Sequence, residues 1–200
     1  MSFWRSIMGQ SVPKAANLDD LFALPNAALT LQTALGMVPT GDGAVCYRAS
    51  SGAGFARSQD DIVALLRSDP DAPAIRVSED SFGFTWLEVD HPAFDPATDT
   101  LSSLSTDLHA VNVTLTEAGF GPGLLCTVVP FETAGSGGIA GRVGLVYLYK
   151  QGTFYPFAPT GEGRATDAVT EIQVRDVLAG ELPIEPDRSR WLGLWGAPGL

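Results

Sequence analysis

The sequence predicts an α+β fold, a single domain built on a mainly antiparallel sheet with helices packed against it. Three observations carry this. Strand-like runs arrive as adjacent pairs, at 74–77 with 84–89 and at 143–149 with 153–157, and neighbouring strands joined by short turns pair antiparallel. Apolar residues at three- and four-residue spacing mark helices outside those pairs, most clearly from Leu101 to Leu115 between them. No linker or internal repeat divides the 200 residues, and 45% apolar residues are enough for one sizeable core.

The elements follow in chain order. Residues 1–16 form a short N-terminal segment with Phe3, Trp4, Ile7 and Met8 at helical spacing. Such an amphipathic turn either closes as a flap over the core or makes transient contact with a membrane surface. Two bases, Arg5 and Lys14, are too few for stable anchoring. Asn17 is a candidate N-cap for a turn through Leu21 and Phe22, and Pro25 starts a second helical stretch that Gly36 closes. Residues 44–48 read as a strand. Ser58 is placed to cap a helix with Asp60 and Asp61 in its first turn, where carboxylates favour the dipole. Ile62, Leu65 and Leu66 are its apolar stripe, and Asp69 followed by Pro70 stops it.

After the 74–77 and 84–89 pair comes the clearest helix: Leu101, Leu104, Leu108, Val111 and Leu115 repeat by three and four, with Gly119 at the C′ position. An apolar strand at 124–131 and a glycine-rich connection at 133–141 lead into the hairpin around Lys150, Gln151 and Gly152. Pro156 cannot donate to a ladder, so the last strand belongs at an edge. A helix at 166–178 closes the 17–182 domain. The tail 183–200 is rich in Pro and Trp, and its run from Trp191 to Trp195 is too apolar to stay free, so it is expected to dock on the domain.

Charge limits the partners. Twelve Lys and Arg against 23 Asp and Glu give −11, which opposes nucleic acid and anionic lipid alike. The absence of a long apolar run and of a basic leader with an apolar stretch reads as a cytoplasmic protein. Between Arg76 and Arg142 there is no Lys or Arg but there are nine acids: Glu79, Asp80, Glu88, Asp90, Asp95, Asp99, Asp107, Glu117 and Glu132. The remaining 14 acids are set against 12 bases. So one-sided a stretch presents an acidic face to a basic partner, or simply keeps the surface solvated.

Motifs of chemistry are scarce. Cys46 and Cys126 lie in apolar runs without a Cys-x-x-Cys or Cys/His cluster, and read as small buried hydrophobes. Gly135, Gly137 and Ala140 match a dinucleotide fingerprint, but the helix that must follow is replaced by the strand-like Val143 to Tyr147. No nucleophile elbow or phosphate-binding loop is present, so no catalytic residue, metal site or cofactor is expected. His91, before Pro92, reads as an exposed loop residue. Asp107, His109 and Asn112 cluster on the long helix, the last two on one strip. They either face a pocket or border a neighbouring loop. The hairpin places Tyr149, Phe154 and Tyr155 beside Lys150, and Trp191 and Trp195 stand in the tail. These are candidate contact residues.

Several stretches resemble the PspA-associated protein PspAB family: Asn17 to Pro25, Thr106 to Asn112, Ala118 to Pro122, Gly144 to Pro159, and the ending Trp195 to Leu200. The likeness runs nearly end to end, and Ser136 to Gly141 departs from it in being glycine-rich. The resemblance implies a cytoplasmic accessory protein of high-GC bacteria, associated with the coiled-coil phage-shock protein PspA and with envelope stress. It carries no catalytic residues over. Two functions are therefore weighed. One is a non-enzymatic binding module for a PspA-type partner or another component of that system. The other is a small-ligand binder or enzyme with a pocket near His109 and the 147–155 hairpin.

Overall fold

The computed structural model describes residues 17–48, 53–68, 73–133, 141–161 and 163–200, with 53–58 by backbone alone. The segment carrying Phe3, Trp4, Ile7 and Met8, the helix stop at Asp69 and Pro70, and the glycine loop 134–140 lie outside these residues. A tight helical turn, Leu18–Ala23, runs into α1 (Leu24–Leu35), where Pro25 sits in the first turn without needing its missing N–H. Strands β1 (Met37–Pro39) and β2 (Asp42–Tyr47) follow, then α2 (Ala53–Leu66). Helix α2 begins five residues before Ser58, so that serine lies inside the helix instead of capping it.

Strands β3 (Ala74–Glu79) and β4 (Thr85–Asp90) form a hairpin whose turn is built by Asp80. Its carboxylate accepts the backbone N–H groups of Phe82 and Phe84 and the indole N–H of Trp86 at 2.9–3.0 Å. Helix α3 (Ser102–Leu115) continues into a wider turn, Thr116–Phe120, that Gly119 breaks at a φ of +89°. Strands β5 (Leu124–Thr133), β6 (Arg142–Leu148) and β7 (Thr153–Phe157) precede α4 (Ala168–Leu178). Asp167 caps α4 by accepting the N–H groups of Val169 and Thr170.

All pairings are antiparallel, in the order β3-β4-β2-β5-β6-β7, and the sheet is open. The short β1 pairs with the far end of β5 and lies end to end with β2. Pro156 sits in β7, at the edge, where its missing N–H costs the ladder nothing. That edge is covered: Phe154 donates to the Pro183 carbonyl and accepts from Glu185 N–H, both at 2.8 Å.

The two faces of the sheet have different covers. On the first lie Val45, Tyr47, Leu87, Val89, Val129, Phe131, Leu145, Tyr147 and Phe154, packed against the buried sides of the helices. Leu104, Leu108, Val111 and Leu115 of α3 are all 2% exposed or less, each contributing about 1.5–3 kcal/mol by burial. On the second lie Ala44, Cys46, Trp86, Cys126, Val128, Val146, Tyr155 and Phe157. Among the described residues no helix packs on this face. The tail does, through Trp191, Leu194, Trp195, Ala197 and Leu200. A Cβ at Gly144 would stand 2.6 Å from the Leu200 side chain and 2.9 Å from that of Val128, so a larger residue there would push the tail's last side chain aside. Arg142 donates to the Gly199 carbonyl at 3.1 Å. Cys46 and Cys126 face each other across β2 and β5 beneath this cover, and both are buried, free thiols.

Candidate functional site

The acidic stretch converges where β4 runs out. Asp90 ends that strand opposite Asp42 of β2, and both are half-buried. Arg76 of β3 holds Asp90 at 3.2 Å and Glu88 at 3.2 Å. Burial, reinforced by the hydrogen bond and charge of Asp90, pushes the Asp42 carboxyl up from 3.8 to about 6. The loop 91–100 then carries Asp95 and Asp99, both exposed. Their carboxylates accept backbone N–H groups of Ala97 and Asp95 at 2.9 and 2.8 Å, which folds the loop into a double turn.

Loop and helix are tied by His91 and Asp107, whose Nε2 and Oδ2 lie 2.8 Å apart. Burial raises the Asp107 carboxyl and the contact with His91 lowers it, with burial the larger effect. His91 is therefore not a free loop residue: its side chain is 25% exposed and packed into the structure. Beside it opens a cleft of about 660 Å³ lined by Asp90, His91, Phe94, Asp99, Ser103 and Leu104 among others. Five carboxyl groups, Asp42, Asp90, Asp95, Asp99 and Asp107, gather at this end of the sheet. Among the described residues, Arg76 and His91 are the basic groups that pair with them.

The helix cluster divides. Asn112 is 1% exposed, and its Nδ2 donates to the Leu108 carbonyl at 2.8 Å and to Thr127 Oγ1 of β5 at 3.0 Å. It is a polar tie inside the core. His109 points instead toward the entering turn, 3.5 Å from Asp19 Oδ1 and with its ring centroid 4.7 Å from that of Phe22. Helical spacing puts the two residues on adjoining positions, and burial separates their roles.

The hairpin residues are also distributed. Phe154 is buried on the first face, at a centroid distance of 5.0 Å from Tyr147. Tyr155 is buried on the second, where its hydroxyl donates to the Leu192 carbonyl at 2.9 Å and burial pushes its phenol well above the usual range. Tyr149 is half-buried and its hydroxyl meets that of Thr116 at 3.1 Å, while Lys150 stands exposed in the turn. Alternation along β7 therefore divides aromatics between two covered faces, not between core and solvent. His109, on α3, and Tyr155 lie on opposite sides of the sheet. Trp191 stacks on Tyr155 at 5.5 Å, and Trp195 meets Phe157 edge-on at 5.5 Å.

The pairing of His91 with Asp107 went unseen in the sequence because 16 residues of loop and helix separate them, and no local spacing signals such a contact. Among the described residues no three His, Cys, Asp or Glu side chains converge as a metal site. Among the same residues no helix is long and apolar enough to cross a membrane.

The family model of PspA associated protein B (PspAB) matches residues 1–199. No curated protein and no solved structure matches the chain. With all but the last of its 200 residues matched, the chain belongs to the PspA associated protein B family.

Proposed function

We propose that this chain is a non-enzymatic accessory protein of a PspA-type envelope-stress system, docking through its acidic end on a basic stretch of the PspA-type coiled coil. The observation that supports it most is the gathering of Asp42, Asp90, Asp95, Asp99 and Asp107 at one end of the sheet, where Asp90 and Asp99 line the cleft. The aromatic hairpin is a weaker candidate, since Phe154 and Tyr155 are enclosed. Complementary charge steers association and selects partners, and salt weakens it. The reading places the protein in the cytoplasm, with at most transient contact between its N-terminal segment and the inner face of the membrane. The test is retention of the PspA homologue from the same genome on the purified, tagged chain at low and high salt. Retention that falls with salt is expected. No retention at either salt overturns direct docking.

A second reading, a small-ligand binder or enzyme, rests on one observation: a histidine–carboxylate pair beside a cleft of about 660 Å³.

A further inference from the structure

The tail creates a second concavity, distinct from the acidic cleft. It is a pocket of about 270 Å³ between β7, the start of α4 and the tail, walled by Trp191 and Trp195 and floored by Tyr155 and Phe157. Two guanidinium groups reach it, Arg164 and Arg188. Arg188 stacks over Trp191 at 4.8 Å and meets the buried Glu171 carboxylate at 3.3 Å. Arg164 is held differently. Its guanidinium lies over the rings of Phe82 at 5.0 Å and Trp195 at 5.9 Å, and no carboxylate among the described residues is within ion-pair distance of it.

Among the described residues, two guanidinium groups and one carboxylate line this pocket, a balance of one positive charge in a chain whose net charge is −11. Aromatic faces that hold a guanidinium flat leave its N–H edge directed outward, the geometry that forks a carboxylate. The pocket's volume lies just below the range of pockets that enclose cofactors and drug-sized ligands. It suits a single residue. The chain's overall charge repels polyanions, so a lone carboxylate on a short apolar stem fits better than a nucleotide or nucleic acid.

We infer that the pocket between Trp191 and Trp195 binds a peptide carboxylate, with Arg164 as the group that recognises it. The inference does not depend on where PspA docks.

The test uses the full chain and follows the indole N–H resonances of Trp191 and Trp195 by NMR. The probes are N-acetyl-leucine, with a terminal carboxylate, N-acetyl-glutamate α-amide, with a side-chain carboxylate, N-acetyl-leucine amide, with none, and inorganic phosphate. Saturable shifts with a millimolar Kd are expected for at least one acid and not for the amide, and the preferred acid tells terminus from side chain. Arg164→Gln should weaken that binding about tenfold or more, with Arg164→Lys intermediate. Arg164 is exposed, so both variants should fold, as a thermal melt will check. Arg48→Gln, at the Phe84 ring and away from the pocket lining, should bind as the parent does. Shifts with neither acid up to about 100 mM, equal shifts with the amide, tighter binding of phosphate than of either acid, or an unchanged Kd in Arg164→Gln would each overturn the inference.

Discussion

Replacing Asp42 by asparagine should stabilise the protein, and only where the carboxyl would otherwise be ionised. Asp42 faces Asp90 across β2 and β4, with Arg76 engaged by Asp90 and Glu88. Burial and Asp90 raise its carboxyl from 3.8 to about 6. A raised carboxyl means that the folded chain holds a proton the unfolded chain releases. The stability linked to that proton is full below about pH 4 and is lost as pH rises through 6. A shift of about two units corresponds at most to about 3 kcal/mol, and solvent screening at this half-buried position reduces the expected effect to about 1 kcal/mol. Urea unfolding of parent and Asp42→Asn at several pH values isolates the group, because other titrations cancel in the difference. The variant should match the parent near about pH 4 and exceed it by about 1 kcal/mol near about pH 8. A difference that does not vary with pH, or one that favours the parent as pH rises, would refute the crowding of carboxylates inferred at this end of the sheet.

Three further outcomes are expected. Asn112→Ala should cost about 2–4 kcal/mol by leaving a cavity and depriving Thr127 Oγ1 of its donor, while Asn112→Leu combined with Thr127→Val should recover most of that loss in denaturant unfolding. Gly193→Ala would drive a methyl into the Trp195 ring, so the ring must move; a loss of about 1–3 kcal/mol and greater tryptophan exposure to acrylamide should follow. The thiols of Cys46 and Cys126 lie buried and face to face, which pushes the Cys46 thiol far above its ordinary range, so neither should react with iodoacetamide until the protein unfolds.

Much of this architecture is written locally in the chain. The α3 repeat of leucines faces one direction, and each of its members is buried; the hairpin pairs carry their own turn residues. What escapes is what depends on distant segments. Ser58 followed by Asp60 and Asp61 has the chemistry of a helix start, yet α2 already runs from Ala53, since a cap preference of about 1 kcal/mol does not by itself fix where a helix begins. Strand β1 is three residues long and contains Pro39, too short for any periodic signal, and exists because β5 extends far enough to pair with it. Aromatics alternating at Phe154, Tyr155 and Phe157 suggest a half-exposed patch. That inference fails only because a segment some 40 residues later covers the second face. His109 and Asn112 show the limit of helical spacing: neighbours on a helix, they differ in burial because one faces β5 and the other the entering turn.

The central claim is that the acidic end carries the docking surface, and its most direct test is the affinity of the purified chain for the PspA homologue of the same genome. The most informative variant is Asp95→Asn with Asp99→Asn, because asparagine keeps an acceptor for the loop's backbone N–H groups while removing two exposed charges. Glu88 and Asp107 are less suitable, being engaged by Arg76 and His91. The account predicts binding at low salt that the double variant weakens by about five- to tenfold, with a shallower dependence on salt. Binding of unchanged strength and unchanged salt dependence in that variant would contradict it.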